Sequence, residues 1–519
     1  MKTKRQYFLN ALLLTAVTLL MRTVSVSFNV YVSNRVGAEA MGLISLISGV
    51  YGFAVTLATS GIHLATVRTV AQSMERSGGE ENGKCLRACL LYASFFGSLA
   101  CILLLAFSRP IGILALKDER TVRPLIVLSL TLLPIALTTV LNGYFTAVRR
   151  SWKNALSQVL EQGVKITLTC YLLVFFAPKT IEGCVLAILV GGAVAESLSL
   201  VFNVLLYLLE KRKQPLTPKQ KSKKSISVAS IALPVAISAY MRSGLLAIEH
   251  ILIPRGLLRH GAGNSAALSA YGALHSMALP ILLYPAAILS SFASLLIPEV
   301  TQQQSSDNRV EIRYIAGRVY QMTLLFAIGV SGVMLCLSGE LGQLLYGNRQ
   351  VSDFIRMLAP LIPVMYLDTA TDAILKGMGE QVYSMNVNIL DAFVSVISVA
   401  LLVPRMGIVG CVITIYITEI LNAALSIVRM LKITGFTPSI PSLVLRPLLA
   451  IVGATSLARL FISSFPEITL PPVLWLITAI CFIVFLYFLL LIATGGLERK
   501  ERRWLLDCFR NDRCTHAEK

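Results

Sequence analysis

The sequence predicts an all-α polytopic membrane protein of about fourteen transmembrane helices, set out as two pseudo-symmetric six-helix lobes followed by two further helices. Three observations predict it. Apolar runs near or above the roughly 20 residues needed to cross a bilayer recur along all 519 residues, separated by short polar breaks. Hydrophobic residues make up 55% of the chain and charged residues 14%, with a mean hydropathy of +0.73, a balance foreign to water-soluble proteins. Short stretches of sequence also recur in the same order in the two halves.

The runs lie near residues 7–32, 39–71, 85–107, 123–148, 154–177, 182–209, 226–253, 265–300, 314–337, 353–378, 383–403, 407–431, 443–464 and 472–494. The first follows Lys2, Lys4 and Arg5, as the core of a signal peptide would. It is long and lacks a small-residue cleavage pattern, so it reads as a retained span. Gly272, Pro280 and Pro285 mark kinks in the eighth run. A net charge of +19 raises the question of nucleic acid, but the basic residues sit at the ends of apolar runs, where the positive-inside rule puts them. With the N-terminus inside, about 30 basic residues fall on the inner side and about 11 on the outer, so both termini are expected in the cytoplasm. The main outer exception holds Arg109, Lys117, Arg120 and Arg123. Ten cysteines are scattered, several within spans (Cys101, Cys170, Cys336, Cys481), with no CxxC spacing, which argues against a disulfide framework or a zinc site.

Internal similarity sets the expected domains. "MRT" at 21–23 returns as "MRS" at 241–243, Arg35 matches Arg255, "LNG" at 141–143 meets "LKG" at 375–377, and "GCV" at 183–185 recurs at 410–412. This order predicts an N-lobe at 1–210, a basic cytoplasmic linker at 211–225, a C-lobe at 226–432, two appended helices at 433–495 and a basic tail at 496–519. An even number of spans per lobe makes the repeat parallel, with substrate between the lobes. The amphipathic "LERKERRWLLDCF" of the tail is expected on the inner leaflet surface.

Arg22 lies about fifteen residues into the first span, roughly 22 Å at 1.5 Å per residue, beyond easy reach of the interface. A charge at that depth costs about 3 kcal/mol on insertion scales, so it marks a functional site. The repeat puts Arg242 at a similar depth in the seventh span, facing the same cleft. The competing reading is an internal ion pair, with Glu249, two turns from Arg242, as partner. Arg68 is either an interfacial anchor or cavity lining, and Arg35 and Arg255, at the outer ends of spans one and seven, either receive a phosphate on the exit side or meet lipid head groups. Glu161 and Lys165 are spaced i, i+4 and read first as a structural pair. Glu196, Asp368, Asp372, Asp391 and Glu419 are further intramembrane acids. Asn388 and Asp391, one turn apart, are candidates for a coupling sodium ion or proton. His63 and His275 read as packing. No Walker A loop, GxSxG or HExxH is present, which disfavours an ATP-driven pump or a metallohydrolase, and no cofactor or metal site is assigned.

The stretches "LLLTAVTLLMR", "NRVGAEAMGLISLISGVYGF", "NGYFTAVRRSWKNALSQVLEQGVKI" and "AYGALHSMALPILLYPAAILSSFASLLIPEV" resemble the stage V sporulation protein B and polysaccharide biosynthesis family, within the multidrug/oligosaccharidyl-lipid/polysaccharide exporter superfamily that also holds the MurJ-type lipid II flippases. The resemblance covers nearly the whole chain. It implies a two-lobed, alternating-access transporter in a bacterial cytoplasmic membrane, not an enzyme, exporting an undecaprenyl-pyrophosphate-linked oligosaccharide or peptidoglycan precursor in spore or cell-wall biogenesis. In those relatives an arginine on the first helix lines a cationic cavity, and Arg22 matches it. The expected partners are the lipid-linked anionic glycan and membrane lipids, with cell-wall synthesis proteins as candidates, and the expected state is a monomer. The alternatives are a cation-coupled multidrug exporter, which predicts an acidic cavity, a membrane enzyme such as a glycan polymerase or acyltransferase, and a non-transporting envelope-assembly protein.

Overall fold

A chain this apolar must satisfy every backbone hydrogen bond within the bilayer, and the α-helix does so segment by segment. The computed structural model describes residues 2–77, 82–175, 180–211, 228–306, 308–439, 441–464 and 471–495, and every regular element among them is helical. In chain order these are α1 (Lys2–Thr59), α2 (Ile62–Ser77), α3 (Asn82–Pro110), α4 (Val122–Ser129), α5 (Leu132–Ala147), α6 (Ser151–Phe175), α7 (Ile181–Lys211), α8 (Val228–Arg259), α9 (Asn264–Gly272), α10 (Leu279–Leu283) and α11 (Ala286–Ser305). They continue as α12 (Arg309–Cys336), α13 (Ser338–Tyr346), α14 (Arg349–Leu358), α15 (Ile362–Gly377), α16 (Gln381–Met406), α17 (Ile408–Thr434), α18 (Arg446–Ser464) and α19 (Pro472–Ala493). The expected linker beyond Lys211 and the expected surface helix of the tail lie outside the described residues.

Eleven helical segments are long and apolar enough to cross a membrane, or twelve when Glu119–Ser129 and Leu132–Ala147, bent by 42°, form one span. The protein is therefore an all-α, multi-pass membrane protein. The count differs from the fourteen expected spans at two places. Segment Ile181–Glu210 qualifies while α6 before it does not, because α6 carries Asn154, Gln158, Glu161, Gln162 and Lys165. Leu19–Met74 counts as one segment of 56 residues, roughly 84 Å if straight and far longer than a bilayer is thick.

That segment is not straight. Gly37 has φ 83° and ψ 170°, a conformation open to glycine and closed to most other residues. Asn29 and Ser45, eight residues to either side, both bond Ser276: Asn29 Nδ2 donates to its carbonyl at 3.0 Å, and the Ser45 and Ser276 hydroxyls share a hydrogen bond. In a straight helix the two would stand about 24 Å apart, so α1 folds back at Gly37 into two antiparallel arms.

Contact clustering divides the chain into two compact units, residues Met1–Ala287 with Val382–Leu421, and Ile288–Gln381 with Asn422–Lys519. In the first, both arms of α1 pack on residues 264–284. A Cβ at Gly272 would strike the Ala38 carbonyl and the Gly42 backbone, and one at Gly42 would strike the Leu268 carbonyl, so two glycines let the helix backbones touch. The segment bends where its sequence says it should: a π-helical turn over Ala273–Ala278 follows Gly272, and the helix breaks at Tyr284 and Pro285. The second arm of α1 also packs on α8. His250 fills the space that Gly49 leaves, Phe53 meets Gly244, and a break at Ser60 (φ 43°) and Gly61 (φ 69°) receives Ala232 and the Tyr240 hydroxyl. At the other end of this unit, Lys153 of α6 is buried against Glu210 of α7 at 2.5 Å and also donates to the Leu206 carbonyl, while Arg150 reaches Glu210 from outside at 3.0 Å.

In the second unit α12 is the central helix, packing on α15, α18 and α19. Tyr320 bonds Thr371 at 2.6 Å, and Tyr487 of α19 donates to the Leu325 carbonyl at 2.8 Å across the opening left by Gly329. Asn422 donates to Asp368 at 3.1 Å, and Arg429 pairs with Glu380 at 2.8 Å.

Two stability predictions follow from these contacts. Gly272→Val should destabilise the protein by about 1–3 kcal/mol through overpacking, seen as a lower thermal midpoint in detergent; an unchanged midpoint would deny the backbone contact. Glu210→Gln should cost about 3 kcal/mol by leaving Lys153, with 7% of its side chain exposed, without its counter-charge. Arg150→Gln, at the half-exposed edge of the same cluster, should cost less than about 1 kcal/mol, and equal losses from the two substitutions would contradict the burial argument.

Candidate functional site

The fold-back of α1 puts Arg22 on its first arm, exposed, with no ion pair to any acid among the described residues. Its neighbour Thr23 donates to the Leu19 carbonyl at 2.9 Å and shares a 2.7 Å hydrogen bond with the Tyr284 hydroxyl. Arg22 therefore stands beside the helix break at Tyr284 and Pro285. A break of this kind inside a membrane protein is tolerated where neighbours or water satisfy the freed backbone groups.

Arg242 is exposed on α8, on the far side of Met241 from Tyr240. It makes no ion pair with Glu249, the partner in the competing reading of the sequence. Glu249 accepts a hydrogen bond from Ser395 of α16, and the charge within electrostatic reach of both Arg242 and Glu249 is Asp391, also on α16. Asp391 Oδ1 is buried without a hydrogen-bond partner. One turn earlier, Asn388 donates its amide to the Ser384 carbonyl at 2.7 Å. The cluster thus offers two carboxylates among neutral oxygens. No group of three or more His, Cys, Asp or Glu side chains suited to a metal ion occurs among the described residues.

Beside this cluster lie His250, whose Nδ1 bonds the Tyr271 hydroxyl at 2.5 Å, and His275, whose ring centroid is 4.7 Å from that of Tyr271. His275 is half-buried and packs on the Tyr271 ring, while His63 is exposed. An apolar groove of about 770 Å³ runs along the same face of α8, lined by Phe53, Tyr240, Met241, Leu245 and Phe393.

The remaining sequence-predicted residues do different things. Arg255 is half-buried and donates to the Leu114 carbonyl, tying α8 to the π-helical turn after α3, so it is engaged structurally. Arg35 and Arg68 are exposed, Arg35 near Cys184 at the start of α7. Glu161 and Lys165 do not close the expected ion pair. Both act instead on Glu196 of α7, and the Lys165 stem lies over Gly192. Tyr51 of the second arm, bonded to Thr131 at 2.5 Å, completes this polar group.

One network was not foreseen. Arg120 pairs with Asp118 at 2.7 Å and with Glu39 at 2.9 Å, and Glu39 also accepts from Ser265. It binds the reversal at Gly37, the loop before α4 and the start of α9. Arg123 pairs with Glu182 at 3.5 Å. Arg120 and Arg123, which stood out as basic exceptions in the sequence, therefore have local counter-charges. The signal was an acid two residues past Gly37, but nothing in the sequence joined it to residue 120.

Comparison with known proteins agrees with this architecture. The family model for polysaccharide biosynthesis protein matches residues 8–303, more than half of the chain. Stage V sporulation protein B of Bacillus subtilis (strain 168) is 25% identical over 438 residues, covering 83% of this chain and 84% of the relative. The solved structure of the lipid II flippase MurJ in an inward closed conformation superposes with a TM-score of 0.70 at 14% identity, over 94% of this chain and 100% of that one. An inward-facing multidrug resistance MATE family transporter of the MOP superfamily gives 0.63 at 16% identity, over 81% and 98%. The fold is thus the one shared by these structures, and the chain belongs to the polysaccharide biosynthesis protein family.

Proposed function

We propose that the protein flips a lipid-linked anionic glycan, an undecaprenyl-pyrophosphate-linked oligosaccharide or peptidoglycan precursor, from the inner to the outer leaflet by alternating access. The observation that carries this reading is Arg22, a cation deep in a span, without a counter-charge among the described residues, beside a broken helix. A second feature supports it. Because the arms of α1 match about Gly37, Arg22 is level with residue 52, and Arg242, between Gly244 (which meets Phe53) and Tyr240 (which meets Ser60), falls within about one helical turn, ~6 Å, of that level. Two guanidinium groups at similar depth suit a pyrophosphate, which each can hold by charge-assisted hydrogen bonds while the prenyl tail stays in lipid.

In this reading the chain has fourteen spans, counting both arms of α1 and the polar α6, with both termini in the cytoplasm and the Gly37 end outside. The Gly42–Gly272 contact and the Glu39–Arg120 network then close the outer side, and transport requires them to part while the Arg22 end closes. An inside-negative potential favours outward movement of an anion by about 2.3 kcal/mol per charge per 100 mV. The acids near Arg242 would let a sodium ion or proton re-set the carrier.

Arg22→Ala should lower flipping of a fluorescent lipid-linked pyrophosphate precursor in proteoliposomes by about tenfold or more, with unchanged insertion and thermal midpoint. Wild-type rates in that variant would defeat the assignment. Asp391→Asn should remove any dependence of the rate on an imposed sodium or proton gradient; a gradient response equal to that of the wild type would place coupling elsewhere.

A further inference from the structure

The second unit carries a cleft that none of the preceding sites uses. At the C-terminal end of α12, where α13, α14 and α18 meet it, a polar cavity of about 340 Å³ is lined by Arg349, Arg356 and Arg459 together with Glu340 and Asp353. A second cavity of about 410 Å³ continues from it along α12 and α18 and is bounded by Ile328, Leu448, Ile451 and two prolines, Pro360 and Pro363. Leu335, Cys336, Arg356 and Arg459 line both, so the two form one cleft with a basic mouth and an apolar body. The arginines are not used up within the protein. Among the described residues none of the three forms an ion pair, although two acids share the cavity, and Arg459 spends one donor on a 3.4 Å contact with the Cys336 carbonyl.

We infer that this cleft binds an anionic phospholipid, its phosphodiester held by Arg356 and Arg459 at the mouth and an acyl chain lying between α12 and α18. Charge and shape select this occupant. Three arginines against two acids leave one formal positive charge, the complement of a phosphodiester monoanion and less than a pyrophosphate would ask for. Guanidinium forks suit phosphate oxygens better than they suit a zwitterionic head group, whose own cation they repel. The apolar body opens to the surroundings, with Leu448 and Val452 47% and 55% exposed, so a chain can enter sideways from the membrane. The lipid has a structural task there. α18 leans on α12 where Gly332 admits Ile451, and a lipid seated beside that contact ties the α18–α19 pair to α12 and α14. In the orientation proposed above, this end faces the outer leaflet.

Native mass spectrometry of the purified full-length protein, titrated with phosphatidylglycerol and with phosphatidylcholine of the same acyl chains, tests it. The wild type should hold phosphatidylglycerol about tenfold more tightly. Arg356→Gln with Arg459→Gln should abolish the preference, Arg356→Lys with Arg459→Lys should retain part of it, and Arg405→Gln on α16 should leave it intact. Equal binding of the two lipids by the wild type overturns the proposal, as does a preference that survives in the glutamine pair. Should the glutamine pair fail to elute as a single species, the wild-type comparison decides alone. Soluble glycerol phosphate should not displace the lipid at matched concentration, and full displacement would show a free-phosphate site in place of a lipid site.

Discussion

The contact between α1 and residues 264–284 is the constraint on which the first unit depends. Lipid tails offer helices no hydrophobic reason to associate, so close van der Waals approach and interhelical hydrogen bonds must supply it. The two glycines at 42 and 272 supply the approach, and Ser276, bonded from both arms of α1, supplies the hydrogen bonds. That arrangement requires the reversal at Gly37, which brings Asn29 and Ser45 to one serine. It also fixes where the first arm runs, and so where Thr23 meets Tyr284 and Arg22 stands. A substitution at any of these glycines therefore acts at a distance of several turns on the residue proposed to meet substrate.

The protein accommodates buried and intramembrane charge in two ways. Lys153 and Glu210 are buried together, with the Leu206 carbonyl and the faces of Phe145 and Trp152 sharing the ammonium, the arrangement that makes a buried pair tolerable. Asp391, Glu249 and Arg242 are arranged more loosely, by electrostatic reach across two helices and without a closed ion pair. A pair locked at 2.5 Å holds two helices in register. A set of charges left apart can still exchange partners, which is what a site visited by an ion requires.

The helical spans, the break between residues 32 and 39, and the kinks after Gly272 and at Pro285 were legible, because each rests on local chemistry: apolar length, glycine freedom or a missing proline N–H. The span count was less so, since α6 spends its polar residues on α7 and on the first unit's interior, and no window of composition records that. Pairings were the least legible. Glu161 and Lys165 satisfy the i, i+4 rule and still act on Glu196 on another helix, and Arg242 has an acid, Asp391, within electrostatic reach on α16. Glu39, Asp118, Arg120 and Ser265 come from three separate stretches of chain, and only the fold brings them together. Spacing predicts which residues share a helical face, but not which neighbour that face will meet.

The cations that the protein does pair make the unpaired ones informative. Arg120, Arg123, Arg150, Lys153, Lys376 and Arg429 each have a carboxylate within 4 Å. An unpaired arginine at a helix end needs no comment, since water and head groups solvate it. Arg22 lies at neither end of its arm but within it, roughly 22 Å from the reversal at Gly37, at a depth where a side chain must find either a counter-charge or water. A guanidinium suits that position better than an ammonium, because it stays charged when partly desolvated and presents a fixed fork to an incoming anion. A structural role would be served by a fixed acid opposite, as Lys153 is served by Glu210. That no such acid is found among the described residues is the ground on which the proposed substrate, a prenyl pyrophosphate, rests: it would bring two negative charges on one rigid group to that position.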